Sequence, residues 1–321
     1  MASATGTITY DIRDFVGPAI KALLTGKVDA TITYPGTRDA AAASGQFPVV
    51  LFSHGFSGMR LQSTFLTAHL ASWGMIVASP DHPSRDLYHL LATPPKQDAV
   101  TDLRAALDAV DAENAAAASP LHGHVDTKHV GAVGHSAGGG TVVGAARTIP
   151  AVEGYVSLAS GVFRMQSSAP GATTTSQPPL PDKPSFFISG GNDQIAKLAV
   201  VTRPAFEQAP TPTRLWVIDR AGHNAFDDFC RAGGGAGIIG VAEASGLGPL
   251  LSKPPMSQIK SLGEDGCKSP DVNVTETYPI IDHAVTAWLR HLFGIDPQPV
   301  GLGPEVADQY SVKVTIEERL G

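Results

Sequence analysis

A serine flanked by glycines stands in the segment Gly134-His135-Ser136-Ala137-Gly138, directly after an apolar run. This spacing is typical of a nucleophile on a tight turn between a strand and a helix, because side chains two positions before and after the serine would clash. The helix that follows directs backbone N–H groups and the positive end of its dipole at the serine. A flexible glycine turn is the alternative, but the flanking strand and helix patterns favour a nucleophile.

A serine hydroxyl is a weak nucleophile, and it needs a base that is oriented by an acid. After a serine turn of this kind the acid comes next along the chain and the histidine follows it. Asp193 stands just past the apolar run in "ISGGNDQIA", and His223 stands just past the next one in "VIDRAGHNAF". We therefore predict that both lie on loops at the same sheet edge as Ser136.

Other acids and histidines near these positions are weaker candidates. Asp219 is too close to the end of its own strand to reach His223 comfortably, and Asp227 and Asp228 follow the histidine. His135 is next to the serine and is expected to point into the fold as a packing residue.

An oxyanion hole for such a nucleophile needs two N–H donors. One is expected from Ala137, the residue after the serine. The other is expected from the loop "HGFSG" (54–58), where Phe56 is the best-placed donor and its ring would also line the acyl pocket. A simple turn at the end of the strand is the alternative for this loop.

Strand-like and helix-like patterns alternate along the chain, which predicts a mostly parallel sheet of about eight strands with helices on both faces. The strand patterns are 30–35, 47–55, 75–80, 129–136, 154–160, 184–190, 213–219 and 311–318. The helix patterns are 63–74, 98–118, 137–149 and 280–294. These patterns predict one domain over 1–321, with a catalytic core at about 30–293 and a C-terminal tail at 294–321.

Two segments are too long for ordinary connections and are therefore candidates for a functional role. One is 160–184, rich in Pro, Ser and Thr, and the other is the glycine-rich stretch 231–266 between the two cysteines. Whether either acts as a lid is open. A disulfide between Cys230 and Cys267 would indicate an oxidising compartment and favour a secreted or periplasmic protein. Two free thiols are the alternative and would favour the cytoplasm.

The composition limits which classes of protein are possible. With 321 residues, 43% hydrophobic and 17% charged, the chain is expected to be globular. A net charge of −7 with scattered Lys and Arg argues against a nucleic-acid groove. Neither a spanning helix of roughly 18 apolar residues nor a signal-peptide pattern is seen, so the protein either stays inside or has lost a signal. A monomer is expected.

Two polar clusters are weaker site candidates. His122, His124 and His129 could bind a metal, but their loop is more simply read as a connection between a helix and a strand. We therefore predict no metal site here. The segment "SPDHPSRD" (79–86) follows a strand, and either an edge of the site or a structural polar turn fits it equally well.

Four segments, "FSHGFSG", "GHSAGGG", "GGNDQIA" and "AGHNAF", resemble in this order the α/β-hydrolase superfamily. Within it they are most similar to the cutinase-like polyester hydrolases and the bacterial relatives of platelet-activating-factor acetylhydrolase and chlorophyllase. The resemblance covers roughly 31–293 and implies a serine carboxylesterase without a cofactor. It places Ser136, Asp193 and His223 at the triad positions, and Phe56 and Ala137 at the oxyanion donors.

The chain also departs from these families. Polyester hydrolases often carry Met directly after the serine, where this chain has Ala137. Many place Trp in the loop after the next strand, where this chain offers Val162 and Phe163 as residues of the substrate pocket. The segment between the cysteines is also larger than in small cutinases. We therefore predict hydrolysis of esters with short to medium acyl chains, with polyesters open. An acyltransferase or amidase with the same triad is the alternative, and a non-catalytic binding module is a third.

Overall fold

The strands and helices come from a computed structural model that describes residues 5–23, 29–35, 42–89, 95–161, 178–254 and 256–321. The strands in these ranges are β1 (Thr5–Asp11), β2 (Asp29–Pro35), β3 (Phe47–Ser53), β4 (Ile76–Ala78), β5 (Val125–His135), β6 (Val152–Leu158), β7 (Ser185–Gly190), β8 (Thr213–Ile218) and β9 (Val314–Arg319). The α-helices are α1 (Pro18–Leu23), α2 (Thr64–Ser72), α3 (Ala99–Ala115), α4 (Ala137–Thr148), α5 (Arg203–Gln208), α6 (Ala232–Gly235), α7 (Gly237–Ala242), α8 (Gly248–Leu251), α9 (Met256–Glu264) and α10 (Val274–Leu292).

The main sheet has, among the described residues, seven strands in the order β4-β3-β5-β6-β7-β8-β9. Its neighbouring strands run parallel, except that β9 is antiparallel to β8. The early strand β2 instead pairs antiparallel with β1 in a separate sheet. The α/β-hydrolase class is thus confirmed, and one of the eight predicted strands lies outside the main sheet.

Helices cover both faces of this sheet, which explains why its strands read as continuous apolar runs. Alternate residues of a strand point to opposite faces. Val50 and Phe52 of β3 enter a buried cluster with residues of α2 and α10, whereas Val49 and Leu51 enter another with residues of α3 and α4. Parallel strands between two helical layers bring their carboxyl ends to one edge, where the candidate residues follow β5, β7 and β8.

The C-terminal part of the chain differs from the sequence prediction in two respects. Helix α10 begins at Val274, before the predicted start at 280, because the Asn273 side chain caps it by accepting the N–H of Thr275 at 3.0 Å. Strand β9 comes from the predicted tail 294–321 and extends the main sheet beside β8. The division into a single domain of 1–321 stays a prediction.

The glycine-rich stretch 231–266 is not the irregular loop that its composition suggested. It folds into the short helices α6 to α9, with glycines at positive φ where the chain changes direction, such as Gly237 (φ 74°) and Gly246 (φ 87°). Within the described ranges no single helix has the length and hydropathy of a membrane span, although the bent pair Phe229–Gly235 and Gly237–Leu251 passes by length and composition.

Candidate active site

Ser136 sits at the tip of the turn between β5 and α4, with φ 56° and ψ −120°. A backbone in this region is strained for an L-residue and persists only when its surroundings hold it. A Cβ on Gly134 would stand 2.3 Å from Gly138 O, and one on Gly138 would stand 1.9 Å from Ser53 O. Glycine is therefore required on both sides of the serine, as the sequence pattern predicted.

The side chains of Ser136, His223 and Asp193 form one hydrogen-bonded series. The Ser136 hydroxyl donates to His223 Nε2 at 2.8 Å, and His223 Nδ1–H donates to Asp193 Oδ2 at 2.9 Å. The other carboxylate oxygen, Asp193 Oδ1, accepts the N–H groups of Ile195 at 2.8 Å and Ala196 at 2.7 Å. Because both oxygens are engaged, the carboxylate holds the imidazole with Nε2 directed at the serine.

The competing acids point elsewhere. Asp219 has a side chain that is 56% exposed and lies 3.8 Å from Arg220. Asp227 is fully buried, and burial raises the pKa of its carboxyl group to about 7. Asp228 is buried beside it, with its pKa also raised to about 7 by burial, and it accepts the Phe65 N–H at 3.1 Å. A group that is half protonated near neutral pH is a poor orienting anion.

A buried network connects the loop 54–58 to the histidine loop through Gln62. The Gly55 N–H donates to Gln62 Oε1 at 2.9 Å, and Gln62 Nε2 donates to His135 Nδ1 at 2.8 Å and to Asp227 Oδ2 at 3.0 Å. His135 Nε2 in turn donates to the His223 carbonyl at 3.0 Å. His135 thus points into the fold as predicted, and it also joins the loops around the serine.

The loop 54–58 brings Phe56 beside the serine. A Cβ on Gly55 would stand 3.2 Å from the Ser136 Cβ, so the two backbones are in close contact. In the described part of the chain, neither the Phe56 N–H nor the Ala137 N–H donates to a protein acceptor. The Phe56 side chain is 47% exposed and lines the cavity over the serine. These features agree with Phe56 and Ala137 as donors to the oxyanion. That role stays a prediction.

A second set of Ser, His and Asp side chains has the same hydrogen-bond order. Ser53 Oγ lies 2.8 Å from His82 Nε2, and His82 Nδ1 lies 2.9 Å from Asp102 Oδ2. Ser53 is fully buried, and Arg85 also donates to its hydroxyl at 2.8 Å. Burial lowers the pKa of His82 to about 3. A serine without access to substrate cannot be the nucleophile, so we interpret this set as structural.

The contacts of Arg85 indicate the role of the segment 79–86. Its guanidinium donates to the His54 carbonyl, the Ser53 hydroxyl and Thr141 Oγ1, each at 2.8 Å. Its own carbonyl accepts the N–H of Ser57 at 2.8 Å. One side chain thus joins the end of β3, the loop 54–58 and helix α4, which favours a structural polar turn that supports the site.

A cavity of about 110 Å³ lies above Ser136 and His223. We call residues 231–266 the cap, because aliphatic side chains from its helices form one wall of this cavity. They include Ile238, Ile239, Leu251, Met256, Ile259 and Leu262. The sequence analysis did not single out these residues, although the apolar positions between the cysteines were a usable signal. The predicted pocket residues Val162 and Phe163 lie outside the described residues.

The cap is joined to the loops that carry the histidine and the acid. Asp265 accepts the His223 N–H at 3.0 Å and the Gln194 N–H at 2.9 Å. Asn224 Nδ2 donates to the carbonyls of Leu262 at 2.7 Å and Asp265 at 2.9 Å. Burial raises the pKa of the Asp265 carboxyl group, and its two N–H donors oppose this shift. Asp265 is therefore a positioning residue that the sequence analysis missed.

A disulfide between Cys230 and Cys267 closes the base of the cap. Replacing both cysteines by Ser is expected to destabilise the fold by roughly 3–4 kcal/mol, because the 37-residue loop gains entropy when the chain unfolds. At about 2 °C per kcal/mol the melting temperature falls by several degrees. Thermal unfolding followed by circular dichroism measures this.

As a control, reductant should lower the melting temperature of the natural sequence and leave that of the double Ser variant unchanged. Two free thiols in denatured, unreduced protein would contradict the bridge.

The three histidines considered as metal ligands contact different partners. His122 Nδ1 bonds to the Asn114 carbonyl at 3.0 Å, and His129 Nδ1 lies 3.2 Å from Glu153. His124 Nδ1 bonds to a backbone carbonyl at 2.8 Å. Within the described ranges, no three His, Cys, Asp or Glu side chains come together as a possible metal site.

Comparison with known proteins identifies the family. A family model described as PET hydrolase-like matches residues 20–239. The chain belongs to the PET hydrolase-like family. The match includes Ser136, Asp193 and His223, and it ends within α7, so most of the cap lies beyond it. The resemblance to polyester hydrolases of the α/β-hydrolase superfamily is thereby confirmed.

One curated relative in this comparison is a bis(hydroxyethyl) terephthalate hydrolase of Streptomyces coelicolor. It is 26% identical to this PET hydrolase-like chain over 190 residues, which are 59% of this chain and 53% of that protein. The chain thus spans about half the length of the relative it matches. Its name assigns to that protein the hydrolysis of a small terephthalate ester.

Proposed function

We propose that this chain is a carboxylic ester hydrolase in which Ser136 is the nucleophile, His223 the base and Asp193 the orienting acid. The observation that carries the proposal is the hydrogen-bonded series of these three side chains beneath an apolar cavity. The family and the relative's ester-hydrolase name support the same reaction class.

The reaction begins when Ser136 Oγ attacks the ester carbonyl carbon and His223 Nε2 takes the hydroxyl proton. The carbonyl oxygen becomes an oxyanion, which accepts hydrogen bonds from the N–H groups of Phe56 and Ala137. As the intermediate collapses, the bond between the carbonyl carbon and the alcohol oxygen breaks, and His223 gives its proton to the leaving alcohol. Ser136 now carries the acyl group as an ester.

Water releases the acid in the second half of the reaction. His223 removes a proton from a water molecule as its oxygen attacks the acyl carbon. The bond to Ser136 Oγ then breaks, and His223 returns the proton to the serine. The negative charge of Asp193 stabilises the imidazolium that forms in each half.

A fluorophosphonate probe tests this proposal directly. We expect Ser136 Oγ to displace fluoride from the probe and form a phosphonyl ester, which peptide mass spectrometry identifies. Hydrolysis of p-nitrophenyl butyrate should fall in proportion to the labelled fraction. Prior addition of the ester should slow labelling, because both compete for one site. Full hydrolysis by a fully labelled protein, or labelling confined to another serine, would contradict the assignment.

The disulfide bears on the compartment in which this hydrolase works. Disulfides persist in oxidising environments and are rare in the cytosol of mesophiles. The bridge between Cys230 and Cys267 therefore favours a secreted or periplasmic protein over a cytoplasmic one.

A further inference from the structure

The cap lies over the serine, and little of the serine or the histidine is exposed. Ser136 is only 8% exposed and His223 is 1% exposed. Ile239, Leu251 and Met256 of the cap are buried together in a small apolar cluster of their own, and all three line the cavity. A substrate ester that reaches Ser136 therefore also contacts the cap.

The two walls of this pocket differ in polarity. Every cap residue found in the lining is apolar or glycine, from Ile238 to Gly263. The polar lining groups come from outside the cap, where Ser57, Gln62 and Asn224 line the cavity together with the serine and histidine. A bound ester would place its carbonyl against the polar side and its hydrocarbon group under the cap, because buried apolar surface is favourable and an unpaired polar group there is costly.

The size of the pocket limits that hydrocarbon group. The cavity measures about 110 Å³. An engineered protein cavity of roughly 150 Å³ holds one benzene molecule. The space under the cap is smaller than that, so it suits a short alkyl chain or, at most, a single aromatic ring.

The cap is also fixed at the point nearest the catalytic residues. The disulfide joins Cys230 to Cys267, and Asp265 holds the backbones of His223 and Gln194. A polyester must extend from both sides of the ester that is cleaved, so its chain needs an open groove through the site. A cap attached on the histidine side would narrow such a groove.

We propose that the substrates are small soluble carboxylic esters whose acyl group is a short alkyl chain or one aromatic ring, and that the cap excludes polyester chains. This inference rests on the proposed ester hydrolysis. It assigns specificity to cap side chains, above all Ala242, Leu251 and Met256.

The test compares kcat/KM for p-nitrophenyl esters from acetate to decanoate, p-nitrophenyl benzoate and a poly(ethylene terephthalate) film. We expect kcat/KM to rise about fourfold for each added methylene until the pocket is full, and then to fall. The benzoate should be hydrolysed and the film should release no product. Film hydrolysis, or a flat profile from acetate to decanoate, would overturn the proposal on the substrate class. If acetate is still hydrolysed in that case, the proposed function stands. Failure to hydrolyse any ester would refute the proposed function itself.

Cap variants distinguish a shaped pocket from a cap that has merely loosened. Leu251→Ala removes side-chain volume from the pocket wall and should move the optimum to longer acyl chains by two or more carbons. Ala242→Leu adds volume and should move it to shorter chains. The control is Leu250→Ala, since Leu250 is 38% exposed whereas Leu251 is 3% exposed, and it should leave the profile unchanged. A loosened cap would move the optimum of both pocket variants in the same direction, which would overturn the assignment.

Discussion

The Ser136→Ala variant is expected to lose ester hydrolysis by at least about 10⁴-fold while it keeps the fold. The change removes one oxygen, whose hydrogen bond goes to His223 Nε2. Alanine retains the Cβ, so the strained turn at φ 56° is not made worse. The measurement is kcat with p-nitrophenyl butyrate, and circular dichroism with the melting temperature verifies the fold.

The matched control is Ser53→Ala, because Ser53 has the same hydrogen-bond order with His82 and Asp102. Removing its buried hydroxyl leaves partners unpaired and should cost about 1–3 kcal/mol of stability. Its effect on kcat should be far smaller than that of Ser136→Ala, because Ser53 is buried outside the cavity lining and only supports the loop 54–58. Retained turnover in Ser136→Ala together with loss in Ser53→Ala would mean that the nucleophile had been assigned to the wrong serine.

The turn around Ser136 could be predicted from sequence because the spacing of its glycines is a recurrent pattern of nucleophile turns. The clashes that exclude side chains at Gly134 and Gly138 arise from the turn itself and from the adjacent end of β3. Asp193 and His223 could be predicted for a different reason. Each follows a strand of a parallel sheet, and the carboxyl ends of such strands meet at one edge.

The cap could not be predicted in the same way, because its structure depends on distant contacts. Helices of four to nine residues with several glycines are not stable alone. Ile239 and Leu251 hold them together by packing over the cavity, and the disulfide closes their base. Composition alone therefore indicated a loop.

The supports of the site were also hidden from sequence reasoning. Gln62 and Arg85 have no motif around them, and their hydrogen bonds join segments that are far apart along the chain. Asp265 stands two residues before Cys267, and only the folded cap brings it to the His223 backbone. Roles of this kind come from tertiary structure and leave no local pattern.

The Asp193→Asn variant is expected to lower kcat by about 10²–10⁴-fold with little change in the fold. The introduced amide would keep its carbonyl oxygen toward the N–H groups of Ile195 and Ala196, since an amide nitrogen there would face two donors. Its NH₂ group would then face His223 Nδ1, which becomes the acceptor. The imidazole proton then sits on Nε2 and points at Ser136. Nε2 therefore has no lone pair with which to accept the serine proton. The variant thus loses the base as well as the charge that stabilises the imidazolium.

Asp219→Asn is the matched control, because the same change is made at an exposed acid near the same histidine. Its kcat should stay close to that of the natural sequence. Asp227→Asn extends the comparison to a buried acid whose raised pKa, about 7, already leaves it largely neutral below that pH. Steady-state kinetics of the three variants at pH 6 and pH 8 decide the assignment. A larger loss in Asp219→Asn or Asp227→Asn than in Asp193→Asn would transfer the orienting role to that residue.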